Sequence, residues 1–318
     1  MLTLMTAIFF ICLTLEIPIA FGLGITAAVS LILIDLPLQV IAQRIFTGLD
    51  SFSLLAVPFF ILAGDLMNHG GTTDRLIGFS NTLVGWVRGG LAHTNILTGM
   101  FLAGISGSAV ADASAIGRTL IPRMKKERYD LDFSAAVTAS AATIGPIIPP
   151  SIYMVIYGVT TGTSISGLFA AGLIPGVILG IFLMIVAYII SRRRNYPKRP
   201  RLSLPEFWGA FRKAIFPLLA PVIILGSILS GVFTATEAAV VAVLYAWLVG
   251  TFILKELRLA DLPKILAQSG VTTSVLLLLI GTANVLAWVL SVEQAPQNVA
   301  AALLGVSEFP SGLISSCF

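Results

Sequence analysis

The stretch Ala103-Gly-Ile-Ser-Gly-Ser-Ala-Val-Ala-Asp-Ala-Ser-Ala-Ile-Gly117 lies inside a strongly apolar chain. Glycine and serine weaken a helix, and a bilayer cannot satisfy the backbone groups that an opened helix exposes. Ser106-Gly107-Ser108 therefore reads as a turn at membrane depth. The run before it, Leu91 to Gly104, is too short to span a hydrocarbon core of about 30 Å. The run after it soon reaches Arg118, Arg123, Lys125 and Lys126. The pattern predicts a re-entrant hairpin with its tip at Ser106 to Ala109. Such backbone is tolerated only where it is buried in protein or lines a watery cavity. One half-helix would end in free carbonyls that suit a cation, and the next would begin with free amides that suit an anion. That is the wiring of a sodium-coupled carrier of anions. The alternative is that these small residues let two ordinary helices pack closely.

Composition places the stretch in its setting. The chain has 318 residues, 57% of them hydrophobic and 11% charged, with a mean hydropathy of +0.99. Soluble domains carry roughly 25% charged residues, so this is an all-α integral membrane protein, a multi-span helical bundle. Two cysteines, Cys12 and Cys317, support neither a disulfide framework nor a metal cluster. His69 and His93 lack cysteine or acidic partners at ligand spacing, which argues against an enzyme. The net charge of +4 needs no nucleic acid, because the basic residues sit in short loops. The N-terminus lacks the charged region and cleavage site of a removable signal peptide.

Along the chain, Leu2 to Ile34 is apolar apart from Glu16. With Pro18, Gly22 and Gly24 it reads as a tilted or broken single crossing. Glu16 is either a functional residue within the membrane or a cap on the second piece. Phe52 to Met67 is the next crossing, with Pro58 inside and Asp65 near its end. After the hairpin, Pro122 to Arg128 is basic and reads as cytoplasmic. Phe133 to Ser191 then holds no charged residue. Within it, Thr143-Ile-Gly-Pro-Ile-Ile-Pro-Pro-Ser151 must open, because proline removes amide donors and clashes with the preceding turn. Arg192, Arg193, Arg194, Lys198, Arg199 and Arg201 form a second basic loop, either a positive-inside anchor or an anionic-lipid patch. Phe216 to Phe233, Ala238 to Leu254 and Gln268 to Leu290 are further crossings, and Glu308 to Phe318 reads as a weakly hydrophobic tail.

Thr26-Ala-Ala-Val29 resembles Glu237-Ala-Ala-Val240, and Ser53-Leu-Leu resembles Ser274-Val-Leu. The partners run in opposite directions, as in an inverted repeat. In chain order this gives a first repeat over 1–191, with the hairpin at 91–124 and an unwound helix at 133–160. A basic cytoplasmic loop at 192–213, a connecting helix at 214–234 and an incomplete second repeat at 235–318 follow. A second hairpin, shifted by the same offset, would fall at or beyond the last residue.

Ser106-Gly-Ser-Ala-Val-Ala-Asp-Ala-Ser-Ala-Ile-Gly117, Pro122, and Ala139 to Ser151 together resemble the large membrane subunit of tripartite ATP-independent periplasmic (TRAP) transporters, over nearly the whole chain. The resemblance implies an inverted-repeat, ion-transporter architecture in the bacterial inner membrane and sodium-driven uptake of an organic acid, a C4-dicarboxylate or sialic acid, by an elevator motion. It implies a small membrane subunit and a periplasmic substrate-binding protein as partners, and no cofactor beyond sodium as coupling ion. It places one sodium site at Ser106, Gly107 and Ser108, with Gly145, Ile148 and Pro150 as carbonyl donors. Substrate would meet Ser108, Ala109 and Asp112. Whether Asp112 binds an ion, caps the second half-helix or holds the tip stays open. The family pattern continues beyond residue 318, so the chain reads as cut short at its C-terminus. A self-sufficient sodium/carboxylate symporter and a truncated, non-transporting remnant are the alternatives.

Overall fold

The structure, a computed structural model, describes residues 2–200 and 203–306. It is helical throughout, with no strand among the described residues. The chain falls into two compact units, one of residues up to Ser51 and from Ser274 onward, the other Phe52–Thr273. Among the described residues, five helices are long and apolar enough to cross a membrane: Phe52–His69, Ile165–Arg193, Leu204–Leu229, Ala235–Ile253 and Leu259–Val292.

The first unit opens with α1 (Leu2–Thr14), α2 (Ile19–Leu33) and α3 (Gln39–Leu49). The expected single crossing of Leu2 to Ile34 is instead a hairpin of two short helices. Glu16 turns the chain in left-handed backbone at φ 58°, and Pro18 sets the extended start of α2. Gly22 then lies against Cys12 and Phe9, while Met5 and Leu31 share one buried cluster, so α2 folds back along α1. Glu16 does not cap α2, whose N-cap is Pro18 with no side-chain bond.

The second unit holds α4 (Ala56–His69), α5 (Thr72–Val84), α6 (Gly90–Ser106), α7 (Ala109–Lys126), α8 (Leu131–Ala142), α9 (Ile152–Thr161), α10 (Ile165–Arg193), α11 (Leu204–Leu229) and α12 (Ala235–Leu248). Helix α13 (Leu262–Val292) begins in this unit and continues into the first, where α14 (Ala295–Val306) follows. Ala238, Ala242 and Ala246 recur every fourth residue along α12 and are buried, a small-residue face that lets α4 pack closely along it. Asp65 of α4 accepts a 2.6 Å bond from the Ser269 hydroxyl of α13.

Helix α10, with 29 residues and about 44 Å long, exposes Ile174 and Phe182 at 67% and 61%, a face suited to lipid. On its other side Gly172, Gly176 and Gly180 admit Met154, Ile148 and Met100. The expected cytoplasmic loop at Pro122 to Arg128 is in large part helix, because α7 runs on through Pro122 to Lys126. The weakly hydrophobic tail from Glu308 lies outside the described residues, as does Cys317.

Candidate functional site

Helix α6 stops at Ser106 because Gly107 adopts left-handed backbone, φ 58°, with its N–H on the Ala103 carbonyl at 3.3 Å. Ser108 is extended, and its Oγ accepts from the Ala111 amide at 3.4 Å, which starts α7. Both are the local signals of a helix end and a helix start. The hairpin tip expected at Ser106 to Ala109 is therefore present as two residues between two helices. Ser108 is the cap of α7, and Asp112 has another role. Its Oδ1 accepts a 2.5 Å bond from the Ser106 hydroxyl, bridging the end of one half-helix to the first turn of the next. Its Oδ2 is buried and has no hydrogen-bond partner.

Between α8 and α9 the chain is irregular over residues 143–151. The Ile144 carbonyl takes the amides of Ile147 and Ile148, each at 2.9 Å. Pro146, Pro149 and Pro150 have no N–H to give, and the Pro149-Pro150 bond is cis. The Ser151 hydroxyl donates to the Pro146 carbonyl at 2.7 Å and accepts from the Met154 amide, starting α9. Two serine-capped helices, α7 and α9, thus begin beside each other.

The two irregular segments interlock through glycines. A Cβ on Gly107 would stand 2.5 Å from the Pro150 carbonyl oxygen and 3.1 Å from the Ile152 nitrogen. A Cβ on Gly145 would stand 2.8 Å from Asp112 Oδ2 and 3.3 Å from the Ala109 nitrogen. Ser106, Gly107, Asp112, Gly145 and Pro150 are brought together in this way. Ile148 is held differently: its side chain fills the notch at Gly176 of α10. Among the described residues, the carbonyls of Ser106, Gly107, Gly145, Ile148 and Pro150 accept no hydrogen bond. Ser108 and Ala109 are half-buried beside Val110, which is 77% exposed, whereas Asp112 lies beneath at 1%. Gly64 of α4 and Gly176 were not singled out from the sequence. A Cβ on Gly64 would come within 3.2 Å of Ser106 Cα. The spacing Gly172-xxx-Gly176-xxx-Gly180 was the available signal.

At its other end the hairpin is tied by the strand of chain beyond α10. Tyr196 stacks on Tyr129 at 4.4 Å, and the Pro197 carbonyl accepts the Gly89 amide at 3.2 Å. The Tyr196 hydroxyl and Arg194 both reach Asp130 Oδ2 at 2.7 Å. The Tyr196 hydroxyl first, and then Arg194, hold the Asp130 carboxyl below the usual carboxylate range.

Residues 6–315 match the family described as tripartite ATP-independent periplasmic transporter, DctM component. The chain is 42% identical over 298 residues to the sialic acid TRAP transporter large permease protein SiaM of Vibrio cholerae, covering 93% of this chain and 70% of that one. It is 40% identical over 299 residues to the 2,3-diketo-L-gulonate TRAP transporter large permease protein YiaN of Escherichia coli, covering 94% and 70%. With the C4-dicarboxylate TRAP transporter large permease protein DctM of Pseudomonas aeruginosa the identity is 42% over 280 residues, covering 88% and 66%.

Proposed function

The chain belongs to the DctM family of TRAP transporters as a large permease subunit, a multi-pass protein of the inner membrane, and from that premise we propose that it serves sodium-driven uptake of an organic acid. Its relatives are transporters rather than enzymes, and those reported above are named for sialic acid, diketogulonate and C4-dicarboxylate, all organic acids. A C4-dicarboxylate or sialic acid is the proposed cargo, delivered by a periplasmic binding protein to a complex with a small membrane subunit.

The observation that carries the reading is the junction of the hairpin tip with residues 143–151, where both segments hold carbonyls free of hydrogen bonds and Gly145 lies against the buried, unpaired Asp112 Oδ2. Sodium is a hard cation that suits such oxygens. Ser106, Gly107, Ser108, Gly145, Ile148 and Pro150 are its proposed ligands, with Asp112 bracing the tip. A bound cation would stiffen the tip and add positive charge beside the first amides of α7, favouring a carboxylate at Ser108 and Ala109. Hairpin and unwound segment lie in one compact unit, which an elevator motion requires of its moving part. An inverted repeat over 1–191 and 235–318 belongs to the same proposal.

The test is uptake of labelled C4-dicarboxylate and sialic acid, with the small subunit and binding protein present, across a range of sodium concentrations. Sodium-activated uptake supports the reading, and uptake that ignores sodium overturns it. Ser108→Ala in a complete transporter built on this sequence is expected to weaken sodium activation. Unchanged activation would remove the side chain from the site.

A further inference from the structure

Two basic segments far apart in sequence meet at the end of α7. Arg123 and Lys126 stand in its last turn, and Arg199 arrives from beyond α10, bonded to Asn81 at 3.3 Å. These three cations rim a cavity of about 260 Å³ between α5, α6 and α7. Buried Ile77, Leu91 and Leu120, 1%, 3% and 0% exposed, line it together with buried Thr94 and with Asn81. The one carboxylate on the rim, Glu127, is taken by Arg199. Three cations less one carboxylate leave a local charge of +2. Arg123 and Lys126 have no ion-pair partner among the described residues.

Basic residues at a helix C-terminus and on a cytoplasmic face have a general explanation in the helix dipole and the positive-inside rule. Neither accounts for their convergence, from two places far apart in the chain, on one cavity between helices. Cations gathered around such a cavity repel one another unless an anion sits between them, and guanidinium groups match the oxygens of a phosphate. The volume is just below the roughly 300–1,000 Å³ of pockets that enclose whole ligands, so it suits a headgroup better than an entire molecule. We infer that this cavity binds a phosphate group, that of an anionic phospholipid headgroup or of a soluble phosphate. The basic rim puts it at the level of the cytoplasmic leaflet, where anionic lipids gather and basic pockets between helices take them up. The bound phosphate would tie α5 and the base of the hairpin to the segment carrying Arg199.

The test uses the purified protein in neutral detergent, titrated with phosphatidylglycerol, phosphatidylethanolamine or sodium phosphate, and read by thermal unfolding and native mass spectrometry. Phosphatidylglycerol is expected to bind and raise the unfolding temperature, with little effect from phosphatidylethanolamine. Arg123→Ala with Lys126→Ala should bind phosphatidylglycerol about 30-fold more weakly, at roughly tenfold or less per basic residue. Arg118→Ala with Lys125→Ala removes the same charge from exposed positions of α7 outside the cavity and should bind as the parent does. Arg123→Lys with Lys126→Arg should also retain binding. Stabilisation by sodium phosphate as strong as by phosphatidylglycerol supports the site and assigns it to a soluble phosphate. The inference is overturned if neither phosphatidylglycerol nor sodium phosphate stabilises the parent protein more than phosphatidylethanolamine does, or if the charge-matched control loses as much binding as the cavity variant.

Discussion

Replacing Gly107 by alanine tests the junction on which the sodium reading rests. Two costs add at this position. Left-handed backbone, here φ 58°, costs a non-glycine residue about 1–2 kcal/mol. The new methyl would also stand 2.5 Å from the Pro150 carbonyl oxygen and 3.1 Å from Ser151 Cα. Those atoms are backbone and cannot swing aside as a side chain could. Forcing an extra carbon into a packed contact costs roughly 1–3 kcal/mol, so Gly107→Ala should lose about 2–5 kcal/mol of stability in all. Gly162→Ala separates the two terms, because Gly162 has φ 71° but no atom within 4 Å of its would-be Cβ. It should lose only the backbone cost, about 1–2 kcal/mol. Denaturant unfolding in mixed micelles compares the two variants, and sodium activation of uptake provides a second readout. The Gly107 variant should need more sodium for half-activation, because its tip is pushed off residues 150–152. Equal losses of stability in the two variants, with unchanged sodium activation, would refute the close approach of tip and unwound segment.

Ser106→Ala removes the hydroxyl that donates to Asp112 and leaves a buried carboxylate with neither oxygen bonded to protein. A loss of about 1–3 kcal/mol is expected, measured by the same unfolding titration, with Ser106→Thr losing less. Gly176→Ala would set a methyl 2.4 Å from Ile148 Cγ1. It should destabilise by about 1–3 kcal/mol, and Ile148→Ala in the same chain should relieve part of that loss, seen as non-additivity in a double-mutant cycle. Asp130 is held below its unfolded value by Tyr196 and Arg194. Its contribution to stability is therefore present above the ordinary aspartate range of about 3.9 and is lost as pH falls through the lower folded value. Unfolding temperature followed from pH 6 to pH 3 should drop less steeply at the acid end in Asp130→Asn than in the parent.

Where conformation is set by residue type within a few positions, the elements were legible in sequence. Gly107 between two serines marked the tip, and Gly145 to Pro150 marked the unwound segment, because glycine tolerates left-handed backbone and proline donates no hydrogen bond. The long apolar crossings were legible for the same kind of reason, since bilayer thickness and helix rise fix their length. The hairpin of α1 and α2 was not. Its apolar run is compatible with one tilted helix, and the fold-back depends on Gly22 meeting Cys12 and Phe9. Glu16 and Asp112 were read as possible caps from their positions alone. The turn instead uses Glu16 for its backbone, and the true cap of α7, Ser108, leaves Asp112 free to reach Ser106.

The sequence by itself determined that this is a helical membrane protein, where its helices break, and which family it resembles, because hydropathy, glycine and proline act locally. Only the tertiary structure decided that the breaks at Gly107 and Gly145 face each other, that Gly176 seats Ile148, and that Arg199 joins Arg123 and Lys126. Each of these contacts pairs residues far apart in the chain, and such pairs are chosen by packing and charge across the assembled helices rather than by the backbone preferences of either partner.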